Sequence, residues 1–151
     1  MDFTGYTNLE RLQCAVNPIS SLILTDCSKL TYIQAETCNL TTVKLPFNLG
    51  GVLKFNNIFL SRNPLEQFDI QHVSQPYANS TILALGCALT LEFIEEFLYY
   101  MADDGQTPAV INFTNGEGGT NADVSGSAVA VAAITTLISR GCDVKCHGYP
   151  V

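Results

Sequence analysis

The chain has 151 residues, of which 47% are hydrophobic and 14% charged, so it has the length of one domain and is too apolar for a disordered protein. Its net charge of −7 argues against a nucleic-acid footprint and against a polybasic membrane patch. No apolar run reaches the roughly 18 residues of a membrane-spanning helix, and the opening residues lack the basic and apolar regions of a signal peptide. We therefore expect synthesis in the cytoplasm and no membrane insertion.

An eleven-residue line is repeated three times in the first half of the chain, at residues 9–19, 30–40 and 55–65. Each copy has apolar side chains at its first, fourth, sixth and eleventh positions, with Cys counted as apolar, and Asn or Cys at its ninth. The alternation at the fourth and sixth positions predicts a short strand with those two side chains facing inward. A further apolar pair follows each copy and predicts an extended segment that returns behind the strand. These pairs are Leu22 and Leu24, Val43 and Leu45, and Phe68 and Ile70.

This line resembles the leucine-rich repeat, and the likeness is closest to the short bacterial repeats of the internalin kind. The resemblance implies parallel front strands that begin near Leu12, Ile33 and Ile58, with extended or 3₁₀ segments behind them. It also implies a ladder of ninth-position side chains that bond to backbone groups of the bend after each strand. These ladder residues are Asn17, Cys38 and Asn63.

The second half of the chain is predicted to continue the same sheet, with front strands at residues 82–85, 109–113 and 142–146. We therefore expect an α/β fold in a single domain: a short leucine-rich-repeat solenoid with a parallel sheet of about six strands. In this organisation residues 1–8 form an N-terminal cap and residues 9–73 the regular repeats. Residues 74–151 form irregular helical repeats and a C-terminal cap, which resembles the terminal unit of leucine-rich proteins from bacteria and their phages.

Two helices are predicted behind the later strands. Apolar residues at helical spacing predict the first over residues 91–102, with Thr90 as its N-cap and Glu95 among the carboxylates in solvent. Small apolar residues predict the second over residues 126–140, with Ser125 as its N-cap.

The residues that could carry chemistry do not form a recognisable catalytic or metal site. The six cysteines are predicted to be buried free thiols, because Cys14 and Cys38 fall at inward and ladder positions of the repeated line. Cys146 and His147 are adjacent, but neighbours in a strand point to opposite faces, so they do not form a nucleophile and base pair. No CxxC pair is present to hold zinc. We therefore expect no catalytic residue, metal or cofactor; an enzyme with an unrecognised site stays an alternative.

The outward face of the front strands is the remaining candidate site. Its central row is predicted to contain Gln13, Gln34, Phe59, Ala84 and Asn112, with Lys145 as a further candidate. Tyr32 and Phe59 are aromatic residues of the kind that anchor interfaces, although they could instead only pack against their outward neighbours. The predicted partner-binding residues are Gln13, Tyr32, Gln34, Asn57, Phe59 and Asn112.

The sequence thus favours a non-catalytic protein-binding or assembly module. The resemblance of the C-terminal unit and the low content of charged residues point to a structural component of a virus or phage, such as a capsid decoration or tail-associated protein carried in the virion. A bacterial intracellular adaptor is the alternative. Exposed strand edges at the ends of a solenoid would also permit a homo-oligomer.

Overall fold

The computed structural model describes residues 1–46, 56–68, 80–103, 105, 107–116 and 118–150, and every structural statement below concerns these residues. The second part of the third predicted back segment, residues 69–73, lies outside them. The strands are β1 (Arg11–Gln13), β2 (Ser21–Ile23), β3 (Tyr32–Gln34), β4 (Thr42–Lys44), β5 (Asn57–Phe59), β6 (Thr81–Leu83), β7 (Val110–Phe113) and β8 (Asp143–Cys146). The helices are α1 (Leu91–Asp103) and α2 (Ala128–Ser139).

Six of the strands form one sheet in the order β1-β3-β5-β6-β7-β8, and every neighbouring pair is parallel. The strands are only three or four residues long because each chain segment turns away at a bend directly after its second inward side chain. The α/β class, the parallel sheet of six strands and the two helices predicted from the sequence are confirmed.

The inward side of this sheet carries two rows of buried side chains. The first row pairs in register across all six strands and contains Leu12, Ile33, Ile58, Ile82, Ile111 and Val144. The second row contains Cys14, Ala35, Leu60, Ala84, Phe113 and Cys146. Burial of one Ile or Leu side chain contributes about 1.5–3 kcal/mol to stability, so the first row is a major source of the stability of the sheet.

The placement of Ala84 in the outward row was wrong. Ala84 is fully buried, and the half-buried Leu83 takes the outward position beside Phe59 and Asn112. The cause is the alternation of the strand: Ile82 pairs with Ile58 and faces inward, so the residue two positions later must face inward too.

The strands β2 and β4 pair with each other behind β1 and β3 and form a second, smaller parallel sheet. Their inward side chains, and those just after them, fill the space between the two sheets; these are Leu22, Leu24, Val43 and Leu45. The residues at the start of the chain continue this layer, since Asp2 forms a bridge with Ile23 on the other side of β2.

Helix α1 begins where the Thr90 hydroxyl accepts a hydrogen bond from the Phe93 N–H at 3.2 Å, as the sequence predicted. Apolar residues three and four positions apart give the helix one buried face. This face contains Phe93, Ile94, Phe97, Leu98 and Met101. The carboxylate of Glu95 does not stand free in solvent as predicted, because it accepts a hydrogen bond from the Ser127 hydroxyl at 2.6 Å.

Helix α2 begins two residues later than predicted, and its N-cap is Ser127 rather than Ser125. The Ser127 hydroxyl accepts from the Ala130 N–H at 2.9 Å, whereas the backbone N–H of Ser125 is held in a turn by Asp123 at 2.7 Å. The helix packs against α1 and β8. Neither helix in the described part of the chain is long and apolar enough to cross a membrane.

Candidate functional site

Asn63 forms the central rung of the ladder beside the candidate surface. Its side-chain oxygen accepts from the N–H groups of Cys38 and Leu40 at 2.9 and 3.0 Å. Its amide nitrogen donates to the carbonyls of Ala35 and Leu60 at 2.8 and 2.7 Å. Because Asn63 is buried, these bonds satisfy backbone groups that no water could reach. One side chain therefore joins the bend after β5 to the bend after β3.

The other two predicted ladder residues lie in the same column. The amide of Asn17 donates to the carbonyls of Cys14 and Ala15, each at 3.0 Å. The thiol of Cys38 donates to the carbonyl of Cys14 at 3.0 Å. The three residues thus stand side by side at the carboxyl ends of β1, β3 and β5.

Two further ladder residues were missed by the sequence analysis. Cys87 donates its thiol hydrogen to the Leu60 carbonyl at 3.3 Å, and it follows Ile82 at the same spacing as Cys38 follows Ile33. That spacing was a usable signal. Asn121 has no such signal, because it returns from the long loop after β7 to bond the Ala84 and Phe113 carbonyls and the Leu89 N–H.

The residue before each of the first four ladder residues has a left-handed backbone. The φ angles are 58° at Val16, 55° at Thr37, 59° at Arg62 and 63° at Gly86. This conformation costs a non-glycine residue about 1–2 kcal/mol, and it is least favourable for a β-branched side chain. It persists because the N–H groups of these residues continue the hydrogen bonding between strands, at 2.7 to 3.0 Å. The sheet therefore extends into the bends at a local cost in strain.

The outward side of the six-stranded sheet, called the front face below, has an aromatic cluster at its β1 side. The rings of Tyr32 and Phe59 meet edge to face, with centroids 5.7 Å apart and planes at 85°. The guanidinium carbon of Arg11 lies 4.0 Å from the centroid of the Tyr32 ring. Both aromatic rings are half-buried against these neighbours and half-exposed on the face. The packing that the sequence left as an alternative is thus present, and exposed ring surface remains.

Polar side chains surround the cluster. Gln13 donates to the side-chain oxygen of Gln34 at 3.0 Å, and the Tyr32 hydroxyl donates to the same oxygen at 3.3 Å. Asn57 pairs with Tyr32 in register on the neighbouring strand. Asn112 lies two strands from Phe59, where its side-chain oxygen accepts from the backbone and hydroxyl of Thr114 at 3.1 and 2.9 Å.

A groove of about 440 Å³ lies beside the cluster, below the carboxyl ends of β1, β3, β5 and β6. Its wall carries both charged and apolar side chains. The side chains in this wall include Gln34, Glu36, Ser61, Arg62, Leu83 and Leu85. Gln34 lines the groove and accepts a hydrogen bond from the Tyr32 hydroxyl of the cluster, so the two features form one continuous surface.

The cysteines lie in the core of the protein. All six are buried and free of disulfides. Burial raises the pKa of the Cys146 thiol to about 12, and burial together with the neighbouring Cys38 raises the pKa of Cys14 to about 11. Because the thiolate is the nucleophile, these thiols are unreactive near neutral pH. Among the described residues no group of three or more His, Cys, Asp or Glu side chains could hold a metal ion.

Comparison with known proteins adds no relative. No protein-family model matches the chain, and neither does any curated protein or solved structure. The front face is therefore the basis from which a function must be inferred.

Proposed function

We propose that this chain is a non-catalytic protein-binding or assembly module, built on a short leucine-rich-repeat solenoid whose front face binds the partner. Support for the architecture comes from the three copies of the eleven-residue line, whose strands β1, β3 and β5 are neighbours in register. Further support comes from the ladder residues, which occupy the same position after each of these strands. Such scaffolds serve many partners, so the function has to be argued from the surface.

The observation that carries the proposal is the cluster of Arg11, Tyr32 and Phe59. Arg and aromatic residues dominate the binding energy of protein interfaces, mostly from well-packed positions near the centre. Contacts within the cluster hold both rings in place before any partner arrives, which lowers the entropy lost on binding. Gln13 and Gln34 beside it supply the polar rim that interfaces have around their anchors.

The role we propose is that of a virus or phage structural component, a capsid decoration or tail-associated protein that docks on a larger assembly. This proposal is based on the likeness of the C-terminal unit to phage leucine-rich proteins and on the low content of charged residues. The alternative is an intracellular adaptor in a bacterium. Both roles use the same front face, and they differ in the partner.

The test is capture of partners from an extract of the native source, with covalent cross-linking before washing. The wild-type chain is compared with the double variant Tyr32→Ala and Phe59→Ala. Loss of two anchors of about 2 kcal/mol each should weaken binding by about 1,000-fold and remove the partner from the captured fraction. A captured coat or tail protein supports the virion role, and a captured soluble bacterial protein supports the adaptor.

A matched control is the double variant Tyr6→Ala and Tyr99→Ala, which removes two exposed aromatic side chains away from the front face. It should capture the same partner as the wild type. Equal capture by the front-face variant and the wild type would place the binding surface elsewhere and refute the proposal.

A further inference from the structure

The two outer strands of the six-stranded sheet, β1 and β8, each have a neighbouring strand on one side only among the described residues. The smaller sheet differs, because the segment at Asp2 covers the outer side of β2. An uncovered edge strand presents unpaired N–H and C=O groups and is a template for pairing with another chain. The sheet therefore has two candidate association surfaces on opposite sides.

The hydrogen bonds of β1 determine which of its backbone groups face outward. The Cys14 N–H donates to the Gln34 carbonyl at 2.8 Å, so the backbone groups of Cys14 and Leu12 point towards β3. Alternate residues of a strand bond to opposite sides. The N–H and C=O groups of Arg11 and Gln13 are consequently the ones on the uncovered edge.

In β8 the backbone groups on the uncovered edge belong to the residues whose side chains face inward, whereas in β1 they belong to residues whose side chains face outward. The Asp143 N–H donates at 3.0 Å to the carbonyl of Ala109, directly before β7, so the backbone groups of Asp143 and Lys145 point towards β7. The outward groups belong to Val144 and Cys146. The Cys146 carbonyl already accepts from the Tyr149 N–H at 3.2 Å, so within the described part of the chain the groups on this edge are the N–H and C=O of Val144 and the N–H of Cys146.

We propose that a second copy of this chain occupies each edge, so that β8 of one copy pairs in parallel with β1 of the next. With Val144 opposite Leu12, the register of the sheet continues without a break. The Val144 N–H then donates to the Arg11 carbonyl, the Gln13 N–H to the Val144 carbonyl, and the Cys146 N–H to the Gln13 carbonyl. These are the groups that the described residues leave on the two edges, and they have the donor and acceptor pattern that joins β1 to β3.

The side-chain charges match in this register. Arg11 and Asp143 lie in the same row of the front face, so continuing the sheet places one beside the other. Asp143 binds Lys145 at 2.9 Å through one oxygen and is half-exposed, so its other oxygen can accept from Arg11. Stacking of Arg11 on Tyr32 leaves the edge donors of the guanidinium available.

Burial at the β1 edge is incomplete in the single chain. Leu12 and Cys14 are 8% and 9% exposed, whereas Ile33 and Ala35, at the same positions of the neighbouring strand, are fully buried. Val16, in the bend directly after β1, is 76% exposed. A second copy stacked on this side would cover all three apolar residues.

Association of this kind joins two different surfaces, so an open chain of copies keeps one unpaired edge at each of its two ends, and a closed ring keeps none. The inference does not depend on what the front face binds. It concerns the edges of the sheet, and its test needs no partner other than the chain itself.

The test measures average mass by light scattering over a concentration series that reaches millimolar. The wild type should increase in mass with concentration. Arg11→Glu and Asp143→Arg each place like charges together at the contact, and each variant alone should remain a monomer. An equimolar mixture of the two should regain the wild-type increase, because each substituted edge then meets an opposite charge and the other edges are native. A wild type that stays monomeric, or single variants that assemble as it does, would overturn the proposal.

A backbone test is independent of charge. Gln13→Pro removes an N–H that faces away from the sheet, so it should abolish assembly while the fold is retained, and Gln13→Ala should assemble as the wild type does. Circular dichroism establishes that each variant is folded. A folded Gln13→Pro variant with wild-type assembly would exclude pairing through this edge, and the charge mixture decides the question if that variant does not fold.

Discussion

The two halves of the molecule share one sheet, but different elements cover the inward side of that sheet in each half. Behind β1 and β3 lie the three-residue strands β2 and β4, and the space between is filled by Leu, Val, Ile and Cys side chains. In the other half α1 and α2 pack against each other, α2 contacts β8, and α1 meets β7 through a cluster of phenylalanines. Their ring centroids lie 4.7 to 6.5 Å apart in the pairs that touch, which involve Phe68, Phe93, Phe97 and Phe113.

The difference shows how one sheet accommodates two kinds of return segment. A helix with its side chains is about 10–12 Å across, so its axis stands well away from the sheet and large rings are needed to reach across. An extended segment lies closer, and branched aliphatic side chains are sufficient. Phe113 in β7 occupies the same inward row as Ala35 in β3, and its ring meets Phe97 of α1.

The largest effect on stability is expected when a charged side chain is placed in the first inward row of the shared sheet. Ile33 is fully buried in β3, so Ile33→Asp would bury an unpaired carboxylate and should leave the chain unfolded. Its neighbour in sequence faces outward, and Gln34→Asp should stay folded. Far-ultraviolet circular dichroism and urea titration measure both. A stable Ile33→Asp variant would mean that the inward and outward rows are reversed.

The next test addresses the helical half alone. Phe97 contacts Phe68, Phe93 and Phe113 and is almost fully buried, so Phe97→Ala should lower the free energy of unfolding by about 3–5 kcal/mol. Tyr99→Ala, on the exposed side of the same helix, should change it by less than about 1 kcal/mol. Hydrogen exchange should show lost protection first in α1 and β7. Equal loss in β1 and β3 would contradict separate packing of the two halves.

The ladder allows a comparison of its Asn and Cys rungs. Asn63→Ala leaves the buried N–H groups of Cys38 and Leu40 without a partner and should cost about 2–4 kcal/mol. Cys87→Ala removes a weak thiol donor to the Leu60 carbonyl and should cost about 1 kcal/mol. Urea midpoints measured in parallel give the difference. Equal losses of stability in the two variants would show that the acceptor oxygen of Asn63 contributes nothing to stability.

The smallest change in stability is expected for Val16→Gly, at the left-handed bend after β1. Val16→Gly relieves about 1–2 kcal/mol of strain but adds about 0.5–1 kcal/mol of chain entropy to the unfolded state, so a net gain of about 0.5 kcal/mol is expected. The reciprocal change Gly86→Ala should be destabilising by about 1–2 kcal/mol, since φ at this residue is 63°. Thermal unfolding resolves both. A destabilised Val16→Gly variant would indicate that the exposed valine contributes a contact.

Local spacing was enough to predict the strands of the first half. The fourth and sixth positions of the eleven-residue line are the buried ones in β1, β3 and β5, and α1 was placed to within one residue at its end. The error at Ala84 arose because a small residue lies between two leucines, so size obscured the alternation. The role of Asn121 and the bond between Glu95 and Ser127 had no local signal, because both depend on how distant segments meet.

Apart from Ala84, the residues named from the sequence for the front face lie on it, whereas the contacts among their side chains were not predictable. Tyr32, Phe59 and Gln34 could be assigned to it from the alternation alone. The stacking of Arg11 on Tyr32 depends on side-chain rotamers and on the close approach of strands separated by about twenty residues of sequence. Such contacts are set by register and packing, which a single sequence does not specify.

The ladder has a consequence for the way the chain is made. Cys38, Asn63, Cys87 and Asn121 all reach back to a backbone group of the preceding turn, and none of these bonds reaches forward. As the protein emerges from the ribosome, each bend is therefore fastened only after the following repeat has left the exit tunnel. Folding during synthesis should lag one repeat behind translation, and a ribosome stalled between Leu40 and Asn63 would display a bend at Cys38 whose buried N–H groups still face water.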